Sequence, residues 1–359
     1  MSLSSFIEAE LATLDGALLF DVHAHTGIDI DGTARTSEEH VEALREIGGR
    51  SVIFPLCVTT GYGPENLRVI EECRRHPEQL VPFARLDPRA ISEREVRDAL
   101  TAGARGFKLH PRAEDFRLDH PGVETIVAVA AEARAPVLIH AGAGVGSFGT
   151  TITDLTSAHP HCPIILAHAA VSDLAWLWQI APEHPNLFFD TSWWNPSDLI
   201  ALFALVPPGQ ILFGSDEPYM DLGTVLAITL RCARFAGLSP ETVELVAGGQ
   251  LDRLLAGEPP SHAGPAPGPP SAQPSPTESR LATLLAAADG SMLGGGDPGR
   301  MFELARAAIG AGGSAIPAGI EPLVTELIEE ASSGEAPWAV AMALTLLVTP
   351  GVESAVPTG

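Results

Sequence analysis

Short apolar runs recur along the first two thirds of the chain, and helical patterns lie between them. The runs are ALLFDVH (17–23), SVIFPL (51–56), LVPFAR (80–85), RGFKLH (105–110), PVLIH (136–140), PIILAH (163–168), LFFDT (187–191) and QILFGSD (210–216). Each is bounded by polar, glycine or proline residues and is short enough for one buried strand. The segments between them read as amphipathic helices. TSEEHVEALREIG has Thr36 or Ser37 as a starting cap and Gly48 as a stop; GPENLRVIEECRRHP and ISEREVRDALTAGA follow the same style. Continuous apolar strands alternating with amphipathic helices imply a parallel sheet covered by helices. Eight such units in about 240 residues predict an α/β fold, a (β/α)8 TIM barrel, with a doubly wound open sheet as the alternative.

The texture changes after residue 257. From Glu258 to Thr277 eight of twenty residues are proline, and 259–277 holds no Asp, Glu, Lys or Arg. That composition predicts a semi-extended linker that does not pack. Helical patterning returns in ESRLATLLAAADGS, GRMFELARAAIG, IEPLVTELIEEASS and PWAVAMALTLLV. The expected organisation is therefore a self-contained barrel over 1–257, a Pro-rich linker over 258–277 and a small all-helical C-terminal domain over 278–359. The apolar AVAMALTLLV needs a covering surface, so this region is a candidate for homo-oligomer contacts or for docking a protein partner.

Composition narrows the partners. A formal net charge of −24 over 359 residues excludes nucleic acid and anionic membrane surfaces as partners and leaves a small-molecule substrate. No apolar run is long enough to span a bilayer, and the acidic, amphipathic N-terminus is unlike a signal peptide. Cys57, Cys73, Cys162 and Cys232 are scattered without metal or redox spacing, as expected of reduced thiols in the cytoplasm.

The chemistry gathers at the predicted strand ends, where barrel enzymes build their sites. His23 and His25 close the first strand; positions i and i+2 share a side, so both imidazoles can reach one ion. Lys108 and His110 close the fourth strand, His140 the fifth, His168 the sixth and Asp216 the eighth. Each alone reads as a polar strand end, but together they form a metal site by ligand type, count and placement. Lys108 is conspicuous because the 21 basic residues are otherwise 20 arginines. Unlike guanidinium, a lysine amine can be neutral or carbamylated. Trp193 and Trp194, after the seventh strand, either line a substrate pocket or pack the next helix.

The order HxH, Lys, His, His, Asp on strands one, four, five, six and eight resembles the amidohydrolase superfamily. DVHAHTG, ENLRVIEECRRHPEQLVPFARLDP and FGSDEP are similar to its amidohydrolase-related (amidohydrolase 2) branch, which holds hydrolases and decarboxylases such as aminocarboxymuconate semialdehyde and γ-resorcylate decarboxylases. The resemblance spans roughly residues 17–257. It implies one divalent metal, Zn or alternatively Mn or another ion, on His23, His25, His140 and Asp216. Asp216 would also move a proton, and His168 would polarise the substrate or bind a second metal. Lys108 would contact substrate or, carbamylated, bridge two metals; His110, Trp193 and Trp194 would face the substrate. The implied activity is hydrolysis of a C–N, ester or lactone bond by a metal-activated water. Non-oxidative decarboxylation of an aromatic or dienoic acid is the enzymatic alternative, and an inactive barrel serving as a binding scaffold is the other.

Overall fold

The computed structural model describes residues 3–352 apart from Asp15, Ala143, Ser172, Trp194, Gly294, 312–320 and 334–337. Within it the strands run β1 (Leu19–Ile28), β2 (Ala34–Arg35), β3 (Gly49–Pro55), β4 (Leu80–Arg85), β5 (Gly106–Leu109), β6 (Val137–Ile139), β7 (Ile164–Leu166), β8 (Leu187–Asp190) and β9 (Ile211–Leu212). All pairs are parallel except β1 with β2, and the sheet order is β2-β1-β3-β4-β5-β6-β7-β8-β9. The eight expected strands are all present. The short β2 hairpin was not expected; it turns through Gly32 at φ 91°, a conformation glycine adopts without cost.

The sheet closes on itself. Val22 N–H donates to the Phe213 carbonyl (2.9 Å), Asp216 N–H to that of His23 (2.7 Å) and His25 N–H to that of Glu217 (2.7 Å). Phe20, Val22, Val52, Phe83, Leu138, Ile165 and Phe188 fill the barrel. Lys108 points the same way, because its neighbours Phe107 and Leu109 pack outward. The β1–β3 register shifts between Asp21 and Ala24. This bulge brings His23 and His25 to the interior mouth although Phe20 and Val22 also face inward.

The helices in chain order are α1 (Leu3–Leu11), α2 (Ser37–Ile47), α3 (Gly63–Arg75), α4 (Glu93–Ala102), α5 (Pro121–Ala133), α6 (Thr151–Ala158), α7 (Leu174–Ile180), α8 (Pro196–Leu205) and α9 (Leu222–Phe235). They continue as α10 (Pro240–Glu244), α11 (Gln250–Leu255), α12 (Pro276–Leu293), α13 (Gly299–Ala311), α14 (Glu321–Ser333) and α15 (Ala339–Val348). Thr36 starts α2 through a reciprocal capping box with Glu39, and Gly48 ends it in the left-handed region. Among the described residues no helix is long and apolar enough to cross a membrane.

Two tail features differ from expectation. The Pro-rich segment packs: Ser261 N–H donates to Gln250 Oε1 (2.9 Å), Arg253 Nη2 to the Pro259 carbonyl (2.9 Å) and Gly268 N–H to the Ala204 carbonyl (3.0 Å). Proline lacks a donor but keeps its carbonyl, so barrel side chains can hold such a segment. A Cβ on Gly209 would collide with the Ser261 carbonyl oxygen. Gly209→Ala is therefore expected to loosen residues 258–268, read as faster cleavage there in limited proteolysis; unchanged cleavage would contradict this contact. The helical tail also packs on the barrel. The apolar α15 is buried against α12, α14, α8 and α9, and Leu285, Phe302, Leu327 and Leu344 join the core that surrounds the sheet.

Candidate metal centre

His23, His168 and Asp216, all buried, place one ligand atom each within 4.8 Å of one another. Backbone geometry puts them there. Asp216 and His168 adopt positive φ (61° and 58°) just past β9 and β7, which turns their side chains into the mouth. Asp216 Oδ1 lies 3.1 Å from His23 Nε2 and 3.1 Å from His25 Nε2. His140 reaches this group through His168, its Nδ1 lying 2.9 Å from His168 Nε2. His110 stacks on His140 at 3.9 Å between ring centroids. Lys108 is fully buried, with Nζ 2.9 Å from His23 Nε2 and 4.8 Å from the Phe54 ring centre. Trp193 lines the same chamber and donates from Nε1 to Asp198 Oδ2 (2.7 Å); Trp194 lies outside the described residues.

Asp190 is the residue whose role the sequence left open. Its Oδ2 holds His23 Nδ1 at 2.8 Å, and its Oδ1 accepts from the His168 amide (2.8 Å) and the Ser192 hydroxyl (2.6 Å). A carboxylate on Nδ1 fixes a histidine's tautomer and turns Nε2 towards the site. His168 Nδ1 is tied in the same way to the Ser192 carbonyl (2.6 Å). Asp21 braces β1, accepting from the His23 amide (2.8 Å) and the Ser215 hydroxyl (2.6 Å). The only sequence signal for Asp21 and Asp190 is an apolar run that stops on an acid, LLFD and LFFD.

The electrostatics suit a cation. Burial pushes His25 down to about 3 against the pull of Asp216, and burial foremost lowers His140, His168 and His110. These imidazoles are neutral, as metal ligation requires. Burial opposes charge on Asp216, yet His23 and His168 hold its carboxyl well below the ordinary range. Burial and Lys108 oppose charge on His23, but Asp216 and Asp190 outweigh them and raise it. The chamber thus demands positive charge beside Nε2, which a proton supplies when no metal does. Burial brings Lys108 down to about 7, with Asp216 and Asp190 resisting.

In metal-free protein, four imidazoles that stay neutral when folded take up protons near pH 6.5 when unfolded. The unfolded state then binds more protons, and the raised His23 offsets only one of the four. Urea midpoints of chelator-stripped protein are expected to fall between pH 7.5 and pH 6; a midpoint that rises would contradict this.

The chamber has a volume of about 390 Å³, and Asp29, Arg85, Arg112 and Tyr219 also line it. A family model described as amidohydrolase (Amidohydro_2) matches residues 21–249. No curated protein matches the sequence. Solved structures show the fold. The 5-carboxyvanillate decarboxylase of Sphingomonas paucimobilis aligns with TM-score 0.52 at 13% identity, covering 67% of this chain and 99% of its own. A 2,6-dihydroxybenzoate decarboxylase from Rhizobium gives 0.51 at 14%, covering 67% and 98%. An uncharacterised TIM-barrel protein of Bordetella bronchiseptica gives 0.52 at 16%, covering 67% and 99%. With more than half its length matched by the family model, this chain belongs to the amidohydrolase family.

Proposed function

We propose that the chain is a metal-dependent hydrolase of a C–N, ester or lactone bond in a small molecule. The observation that carries this reading is the convergence of His23, His168 and Asp216, with His25 on the same Asp216 oxygen, at the mouth of the barrel. Three buried imidazoles and a carboxylate suit a borderline-soft divalent ion, with Zn the first choice. A bound divalent cation lowers the pKa of a coordinated water towards neutrality and polarises a carbonyl oxygen. Asp216 accepts the proton of the attacking water and delivers it to the leaving group. His168, its Nδ1 fixed on the Ser192 carbonyl and its Nε2 on His140 Nδ1, would polarise the substrate from the chamber wall. His140 and the stacked His110 form one wall of the chamber, and Trp193 lines it too.

We favour one ion per chain, with Lys108 as a substrate contact rather than a carbamate bridge. A cytoplasmic setting fits four cysteines that are all unpaired. Decarboxylation of an aromatic acid is the second reading. It is favoured by the flat rings of His110, Trp193 and Tyr219 and by the guanidinium of Arg112, all lining the chamber.

Inductively coupled plasma mass spectrometry on the purified protein and on Lys108→Met tests this first. About one metal per chain, unchanged in the variant, is expected. About two, falling in the variant, would replace the single-ion reading with a carbamate bridge. No metal after reconstitution with zinc or manganese would overturn the enzyme reading. Carbon dioxide release, in place of hydrolysis product, separates the decarboxylase.

A further inference from the structure

The metal chamber has a larger neighbour. A groove of about 870 Å³ lies along α3 and α4, and Ile30, Cys57, Arg85 and Ala113 line both spaces. Ligand sites commonly measure about 300–1,000 Å³, so either space alone could seat a small molecule. Apolar side chains form much of the groove: Val58, Leu67, Ile70, Leu86, Ile91 and Ala99. Leu67 and Ile30 stand 59% and 66% exposed there, an apolar edge beside a catalytic mouth.

Arg85 decides what the junction selects. Its side chain is buried, and its charge is already committed. Nη2 and Nε donate to Glu114 Oε1 (2.8 and 3.1 Å), and Nη1 donates to the Pro55 carbonyl (3.2 Å). Tyr62 binds the same carboxylate oxygen at 2.6 Å. A cation neutralised in this way is a poor hook for a second carboxylate. Of the other charged residues lining the groove, Arg89, Glu95 and Asp98 are exposed, and the half-buried Asp87 is already ion-paired with Arg89 at 2.9 Å. What crosses the junction is therefore held by apolar burial.

We infer that the substrate has two parts: a small polar head that carries the scissile bond and fills the chamber, and an apolar arm that lies in the groove between α3 and α4. The inference rests on the metal-site reading for the head. The arm is assigned to the substrate because the two spaces share a wall, so a ligand anchored at the metal ligands enters the groove from the chamber side. Leu67, Ile70 and Ala99 become the residues that set arm length and shape.

Hydroxamates provide the probes, since the head chelates a divalent ion and the tail can be varied. Calorimetric titration of metal-loaded protein compares acetohydroxamate with hexanohydroxamate. Each methylene buried is worth about fourfold in affinity, so the longer probe should bind at least about tenfold more tightly. In Ala99→Trp, which fills the groove, and in Leu67→Asn, which makes it polar, that advantage should shrink below about threefold while acetohydroxamate is unaffected. Ala99 is half-buried and Leu67 exposed, both on helix surfaces, so the fold should tolerate either change.

Equal affinity of the two probes, or an advantage that survives in both variants, overturns the inference. So does an Ala99→Trp variant whose only change is a smaller assembly by light scattering, because the groove is then an interface between copies. Failure of acetohydroxamate to bind counts against the metal reading instead. Hexanohydroxamate binding that still disappears in both variants would then uphold the groove, and no binding would sink both.

Discussion

Replacing Asp216 by Asn is expected to lower kcat by about 10²–10⁴, or roughly 3–5.5 kcal/mol of barrier, with the protein still folded. The carboxylate occupies the one place where two roles meet. Its Oδ1 touches His23 Nε2 and His25 Nε2, both at 3.1 Å, and His23 and His168 keep it ionised against burial. The amide keeps the shape and a donor oxygen but cannot take a proton from the attacking water. Steady-state kinetics on samples matched for metal content checks this. A variant within tenfold of the parent at equal metal loading would remove Asp216 from proton transfer.

The largest stability effect is expected far from the chamber, at Glu10. This fully buried carboxylate of α1 receives Arg231 Nη1 (2.9 Å) and also Arg234, both on α9. Arg231 in turn donates from Nε to Thr349 Oγ1 (2.7 Å) and from Nη2 to the Val352 carbonyl (3.0 Å), beyond α15. One guanidinium thus ties the first helix to the last. Burial already disfavours the charge on Arg231, and Glu10 is its principal compensation. Glu10→Ala leaves that charge buried and unpaired by a carboxylate, a loss of about 3–5 kcal/mol. Urea denaturation checks it, and a change below about 1 kcal/mol would show that Thr349 and Val352 suffice.

The barrel strands were legible because a parallel sheet buried on both faces writes each strand as an unbroken apolar run. Helix α2 was legible in more detail, since its cap chemistry at Thr36 and Gly48 is local. The β2 hairpin carried a signal too, Asp31–Gly32, but two residues of strand leave no periodicity to find. The bulge in β1 left none. Simple alternation from Phe20 puts Val22 and Ala24 inside and the histidines outside, and only pairing with β3 shifts the register. His23, His25, Lys108, His168 and Asp216 could be listed from strand ends, and the structure brings them together. That Asp190 orients His23 is a fact of distance between residues 167 apart in sequence, and that His140 meets His168 is one of distance between the ends of neighbouring strands. The surface that covers α15 is likewise tertiary. Its need for cover was visible in AVAMALTLLV, but α8 and α9 read as ordinary barrel helices.

The closing seam has a consequence for the chain as it is made. His25 and Asp216 meet across the join of the first strand with the segment after the last, 191 residues apart in sequence. A chain emerging from the ribosome displays HxH almost at once but holds no aspartate partner for it until β9 has followed. Contacts so distant form only after the whole circuit is ordered. The metal cage is therefore among the last things the protein acquires. A product truncated before β9, however well its early strands pair, would carry the histidines without the aspartate they gather around.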